Sequence, residues 1–444
     1  MGTSSPELFV ELDRSRPRGL RAQLERGLRT AIRTGRLRPG VQLPSSRALA
    51  EDLRITRGVV VAAYHQLAAE GYLTSRQGSG TVVNVITAPE GTPRADAPQV
   101  RVRYDFRPGA PDVGLFPHAA WARATRTALR SLPDQSLGYG DPAGLPALRE
   151  TLADYLGRVR GVSCEPGNIV VCNGFSHGLS LLARVLAERG IAVESPGHPV
   201  WREQIEWAGA RCHPVEVDGD GLRVDRLAAS GAGAVLTTPA HQYPTGVVLS
   251  ASRRIELVDW ARTTGGYIIE DDYDAEYRYD GQPVGALQGV APDHVVHAGS
   301  LSKSLAPGLR LGWLVVPPAL RDDVVAVRAW GDRFTNSIIQ STVNEFIQRG
   351  DLDRHLRRTR RSYRQRRDVL IAALREQLPG SRVTGISAGL HVLVELPRGA
   401  DAAVLAKHGI LVQTLPPDRV LIGYGRLAPH AIEEGIRQLA TILS

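Results

Sequence analysis

Lysine occurs only twice in this 444-residue chain, at Lys303 and Lys407, and every other cationic side chain besides histidine is arginine. Lys303 lies in a Ser/Gly/Pro-rich segment, Ser300-Leu301-Ser302-Lys303-Ser304-Leu305-Ala306-Pro307-Gly308-Leu309-Arg310, directly after an apolar, strand-like run at 295–299. A guanidinium stays protonated and cannot condense with an aldehyde. A lysine in a dry pocket can, because burial lowers its pKa. About thirty residues upstream, Tyr267-Ile268-Ile269-Glu270-Asp271-Asp272-Tyr273 reads as a buried strand ending in carboxylates. In open α/β sheets, ligands bind beyond the carboxyl ends of the strands.

A lysine for an aldehyde, an acid at a strand end and a phosphate cradle are what pyridoxal phosphate (PLP) requires of a protein. Asn173-Gly174-Phe175-Ser176-His177 supplies the cradle: it follows the strand-like 169–172 and opens an apolar helix, and such a turn aims free backbone N–H groups at an anion. The pair Asp271-x-Tyr273 and Ser302-Lys303 with Arg310 resembles the fold-type I aminotransferases, and the likeness extends over 105–444. That resemblance implies that Lys303 carries PLP as an internal aldimine. It implies that Asp271 pairs with the pyridine nitrogen and Tyr273 with the 3′-oxygen. Ser302, Arg310 and the backbone of Gly174, Phe175 and Ser176 would hold the phosphate, and His198 would stack on the ring. Gln242 and Ser300 complete the expected cofactor set, and Tyr139 would reach the phosphate of a neighbouring subunit in a homodimer.

Alternating strand and helix patterns, with strands at 191–194, 234–238, 267–271, 295–298 and 313–316, predict an α/β unit with a mostly parallel sheet. A large subdomain is expected to about 330 and a smaller, helix-rich one from about 331 to 444. The chain departs from free enzymes at two places. Tyr243 stands where aminotransferases carry the Asn of Asn-Pro-x-Gly, and Leu421 stands where they carry the arginine for the substrate carboxylate. Arg419 and Arg426 are the candidate replacements for an effector.

The charge is uneven. Residues 1–86 hold 13 Arg and no Lys against 7 Asp and Glu, a net +6 of the chain's +8. An anionic partner at the N-terminal end, nucleic acid first, follows from that. Helical spacing of Leu20, Leu24, Leu28, Ala31 and Ile32 predicts a helix over 18–34. Ser45 and Ser46 offer N-caps for a second helix, and Thr56-Arg57-Gly58 opens a third after a tight turn. Residues 76–83 read as two short strands around a glycine turn. The stretches GRLRPGVQLPSSRALAEDLRITRGVV and YHQLAAEGYLTSRQGSGTVV resemble the GntR-type winged helix. The resemblance implies DNA contacts from Ser45, Ser46, Arg47, Thr56 and Arg57, and from Gly78 and Ser79 in the wing. Residues 87–104, rich in Pro, Ala and charge, read as a flexible linker.

A GntR-like winged helix joined to an aminotransferase-like domain resembles the MocR/GabR regulators, to which HQYPTG and EDDYDAEYRYD also bring the chain near. The expectation is a PLP-binding, DNA-binding transcriptional regulator switched by PLP or by an amine or amino-acid effector. The alternative is an active aminotransferase with an accessory DNA-binding domain. Three widely spaced cysteines, no metal-ligand spacing and no apolar run long enough for a membrane span predict a reduced, cytoplasmic, metal-free protein.

Overall fold

The computed structural model describes residues 12–13, 19–76, 80–85, 102–281 and 284–443. The chain divides into two compact units, Met1–Pro98 and Gln99–Ser444.

In the first unit the helix Leu20–Arg33 buries Leu24, Leu28, Ala31 and Ile32, the residues with helical spacing. Helices Ser46–Asp52 and Arg57–Ala69 follow, joined by a turn in which Arg54 adopts a left-handed backbone. A three-stranded antiparallel sheet closes the unit, with Gly80–Val83 between Gln42–Leu43 and Leu73–Arg76. Leu24, Leu28, Leu49, Val60, Leu67, Leu73 and Val83 form one apolar core. This is a winged helix, as expected.

The second unit is built on an eight-stranded sheet. Its order is Ile169–Cys172, Gly312–Val315, Val295–Ser300, Tyr267–Asp271, Ala234–Thr237, Ile191–Ser195, Cys212–Asp218 and Gly221–Leu222. Gly312–Val315 runs antiparallel to both neighbours, Gly221–Leu222 is antiparallel to the strand beside it, and the remaining pairings are parallel. The central strands are buried and mostly apolar, with polar residues toward their carboxyl ends. A four-stranded antiparallel sheet, ordered Arg382–Thr384, His391–Glu395, Arg419–Gly423 and Gln413–Leu415, forms the smaller part with helices Asp351–Gln377 and Pro429–Leu443.

One boundary differs from the sequence expectation. The linker was expected to run through 104, but Tyr104–Asp105 is already a strand, paired in parallel with Ile410–Leu411. The amides of Arg103 and Tyr104 donate to the Gly409 carbonyl, and that of Phe106 donates to Leu411. A two-residue strand whose partner lies some three hundred positions away has no local signal to betray it. Residues 86–101, most of the expected linker, lie outside the described residues.

Candidate cofactor cavity and nucleic-acid interface

The strand Val295–Ser300 delivers the chain into a single helical turn, Leu301–Ser304, which carries Lys303. Ser300 caps that turn, its hydroxyl accepting from the Ser302 amide at 3.4 Å. His355 bonds the Ser304 carbonyl at 2.8 Å from below. The turn projects Lys303 into a cavity of about 950 Å³, where its ammonium donates to the Gly109 carbonyl. Burial lowers the Lys303 pKa, while Asp271 and Asp274 act in the opposite sense. Gly109 has φ +81°, and a Cβ there would come within 3.1 Å of the lysine nitrogen, so a side chain would crowd the reacting atom.

Asp271 ends the neighbouring strand. Side chains alternate along a strand, so Asp271 faces the cavity while Glu270 and Asp272 point to the other side. There Glu270 accepts from the Leu287 and Gln288 amides, and Asp272 takes a two-point ion pair from Arg160 at 2.6 and 3.0 Å. Among the described residues no hydrogen-bond donor meets the Asp271 carboxylate. Removal from water, then the field of Asp272, pushes its pKa well above the usual carboxylate range. Tyr273 also lines the cavity, and its hydroxyl donates to the His241 carbonyl at 3.0 Å. Removal from water, Lys303 adding to it, pushes the His198 pKa down to about 4, and His198 stacks on Trp201 with centroids 5.0 Å apart. Its Nδ1 is buried without a partner among the described residues.

At the far end, Gly174 is the N-cap of the helix Phe175–Val185, whose first residues, Phe175 and Ser176, line the cavity. Arg310, held with φ +47°, donates to the Asn173 carbonyl at 2.6 Å. A Cβ on Gly174 would lie 3.2 Å from the Arg310 guanidinium. Free helix N–H groups and an arginine therefore lie side by side, an arrangement able to receive an anion, although Gly174 and Arg310 are not themselves part of the cavity lining.

Not every expected residue comes to the cavity. Gln242 is consumed by the fold: its amide donates to Glu194, Pro196 O and Tyr243 O, and its carbonyl accepts from Thr245. Arg419 points away, bonding the Pro416 carbonyl at 2.7 Å. Arg426 does not line the cavity either and pairs with Asp105. Ser300 and Ser302 stand beneath Lys303, with the Ser300 hydroxyl used as a cap. Tyr139 is 87% exposed, edge-on to Phe334, and makes no contact with the cavity. Leu421 is fully buried against Tyr243 and Leu393.

The structure adds residues with no motif to announce them. Arg107 lines the mouth, and His391 lies in the wall 5.4 Å from the Tyr243 ring, buried, with Nε2 unpartnered among the described residues. Burial, then His241 and Lys303, hold the His391 imidazole neutral by driving its pKa well below the ordinary value.

In the winged helix Ser45 caps the second helix by accepting from the Ala48 amide at 3.2 Å. Arg47, Thr56 and Arg57 are exposed, and the Arg57 Nε lies 3.3 Å from the Ser46 hydroxyl. Thr56 takes the N-cap position of the third helix with its side chain free of any cap bond. Gly78 and Ser79 lie outside the described residues. Arg57→Ala is expected to weaken operator binding about tenfold or more, the value of a charge-assisted contact, and to leave PLP uptake unchanged. Fluorescence anisotropy with labelled operator checks it, and unchanged DNA affinity would remove Arg57 from the interface.

A basic winged helix and an aminotransferase-type fold with a lysine-centred cavity thus share one chain. Residues 20–83 match the bacterial regulatory proteins of the gntR family, and residues 108–443 match aminotransferase class I and II. Among curated proteins, the probable rhizopine catabolism regulatory protein MocR of Rhizobium meliloti is 32% identical over 97% of this chain and 95% of its own length. The pyridoxine biosynthesis transcriptional regulator PdxR of Corynebacterium glutamicum is 36% identical over 92% of this chain and 91% of its own. Among solved structures, an archaeal alanine:glyoxylate aminotransferase superposes with a TM-score of 0.70 at 29% identity, covering 76% of this chain and 90% of that one. The chain belongs to the MocR-type transcriptional regulators, DNA-binding proteins that join a GntR domain to an aminotransferase-like domain.

Proposed function

We propose that this regulator binds PLP at Lys303, and that PLP itself or an amine or amino-acid effector reacting there changes its affinity for operator DNA. The observation that carries the reading is Asp271: a buried carboxylate without a donor faces the same cavity as Lys303. A buried charge left without a partner is costly, and a protonated pyridine nitrogen supplies the partner. The remaining residues suit the group as well. Gly174, Phe175, Ser176 and Arg310 would hold its phosphate, His198 would lie on its ring, and Tyr273 would stand by its oxygen.

When bound, PLP supplies an aldehyde that captures primary amines. The protein's part is to keep the Lys303 nitrogen partly dehydrated, which favours its neutral, nucleophilic form, and to aim it with the Gly109 carbonyl. The pyridoxine-biosynthesis name of one relative supports PLP as a signal. The exposed Tyr139 supports a homodimer in which it reaches a partner's phosphate. A DNA-binding regulator with no helix long and apolar enough to cross a membrane among its described residues would work in the cytoplasm. An effector regulates only if it binds the two DNA-affinity states unequally.

The test is the visible absorbance of the PLP-treated full chain, wild type against Lys303→Ala, followed by operator titration with and without PLP and candidate amines. The expected result is a yellow band that needs Lys303, and DNA affinity that shifts about tenfold between states. A colourless wild type, or DNA affinity indifferent to every addition, would refute the reading. The complete set Lys303, Asp271 and Tyr273 also supports a second reading, an active aminotransferase, which sustained turnover with a keto acid would reveal.

A further inference from the structure

Among the described residues lining the cavity, Arg107 is the only arginine. Its backbone is fixed. Phe106 is hydrogen-bonded on both sides, to Leu411 and to the Gly423 amide, and a Cβ on Gly423 would lie 2.6 Å from the Arg107 carbonyl. The side chain, in contrast, is half-exposed at the mouth. Its Nε and Nη2 bond the two oxygens of Asp105 at 2.8 and 2.7 Å, and Nη1 has no partner among the described residues. Asp105 also receives Arg426. Hydrogen bonds from Arg107, opposed in part by burial, hold the Asp105 carboxyl below its usual range and so ionised. Two guanidiniums thus share one carboxylate, leaving one positive charge in excess at the mouth of a cavity whose interior holds an aldehyde-reactive lysine.

We propose that Arg107 is the anion-recognising residue of this cavity, taking the carboxylate of a primary-amine effector whose nitrogen would displace the Lys303 nitrogen from the PLP carbon and free the lysine amine, while Arg426 retains Asp105. The assignment rests on the reading of Lys303 as the PLP lysine. It answers the departure at Leu421, where the apolar wall of Tyr243, Leu393 and Leu421 has no charge to offer a carboxylate. The guanidinium presents its unused edge for a planar, two-point contact, the geometry that arginine makes with carboxylates. Arg107 and Gly109 belong to one short segment, so an amino-acid effector would address at once the arginine at the mouth and the carbonyl that holds Lys303.

The experiment uses the PLP-loaded full chain and matched probes: glycine, β-alanine and δ-aminovalerate against methylamine, ethylamine and butylamine, which lack only the carboxylate. The reading is the probe concentration that gives half of the change in visible absorbance. In the wild type at least one carboxylated probe is expected to act at lower concentration than its matched amine. Arg107→Gln should collapse that ratio by about tenfold or more. Asp105→Asn frees Arg107 from its competitor and should widen the ratio, an opposite sign that mere damage to the fold would not produce. A ratio that survives in Arg107→Gln, or that moves the same way in both variants, overturns the proposal. So does a wild type that takes up PLP through Lys303 but prefers no carboxylated probe. A wild type that takes up no PLP overturns the parent reading and this one together.

Discussion

Asp271→Ala protein is expected to bind PLP about a hundredfold more weakly than wild type, and to be the more stable of the two before PLP is added. Both results follow from one feature. The Asp271 carboxylate is removed from water and meets no donor among the described residues, while Asp272, Asp274 and Glu194 raise its pKa further. Lys303 offsets these effects in part. Deleting an uncompensated buried acid relieves a desolvation penalty, so the free protein should melt later. Truncating one partner of a buried, charged hydrogen-bonded pair costs about 2–5 kcal/mol in binding, which is where the hundredfold comes from. Asp271→Asn separates charge from shape: it keeps the volume, and it should keep the melting gain while losing most of the PLP affinity. Titration of PLP by absorbance, with melts of the free protein, reads both quantities. PLP affinity within twofold of wild type in Asp271→Ala would mean that the acid does not face the ring nitrogen. A lowered melting temperature of the free variant would mean that the carboxylate has partners in the fold.

The parts of this site that were legible in the sequence are those where chemistry restricts the residue type and neighbours in sequence remain neighbours in space. Lys303 stood out because arginine does the remaining cationic work almost everywhere else. Asp271 and the Gly174 turn sit at ends of apolar strands, and a strand end is a local signal. The winged helix was equally readable: its apolar spacing, serine cap and strand pair lie within about 65 residues in chain order.

Arg107, His391 and Gln413 were not readable, because the cavity receives them from segments far apart in the chain. The first follows a strand of two residues, and the others enter on the small sheet. Aminotransferases carry their carboxylate-binding arginine where this chain has Leu421, and Arg419 and Arg426 are the arginines that flank that position in sequence. The Arg419 guanidinium is spent on the Pro416 carbonyl, away from the cavity. Gln242 failed for another reason. The buried Glu194 carboxylate accepts from Thr237, Thr238 and Gln242, and the glutamine amide is committed there.

The segment Glu270-Asp271-Asp272-Tyr273-Asp274-Ala275-Glu276 places five carboxylates within seven residues, and only specific partners make that tolerable. Backbone amides serve Glu270, and His241 lies 2.9 Å from Asp274. Arg160, the last residue of the helix Pro146–Arg160, serves Asp272. Both members of that pair are nearly inaccessible, at 5 and 6% of their side-chain surface. Replacing such a pair by apolar groups can be nearly neutral, whereas removing one member leaves a buried charge uncompensated. Arg160→Ala is therefore expected to destabilise the second unit by about 3–5 kcal/mol. The loss also reaches Glu276, whose pKa stands at about 7 through removal from water and the field of Asp272, with Arg160 pulling it down. Without Arg160 that acid is driven further toward its neutral form. Arg160→Lys keeps a cation but not the two-point fork, and should recover part of the loss. Urea unfolding of wild type and both variants measures the order. An Arg160→Ala protein within about 1 kcal/mol of wild type would show that Asp272 finds other partners, such as His297 at 3.8 Å, and that the arginine is dispensable to the acidic strand end on which Asp271 is carried.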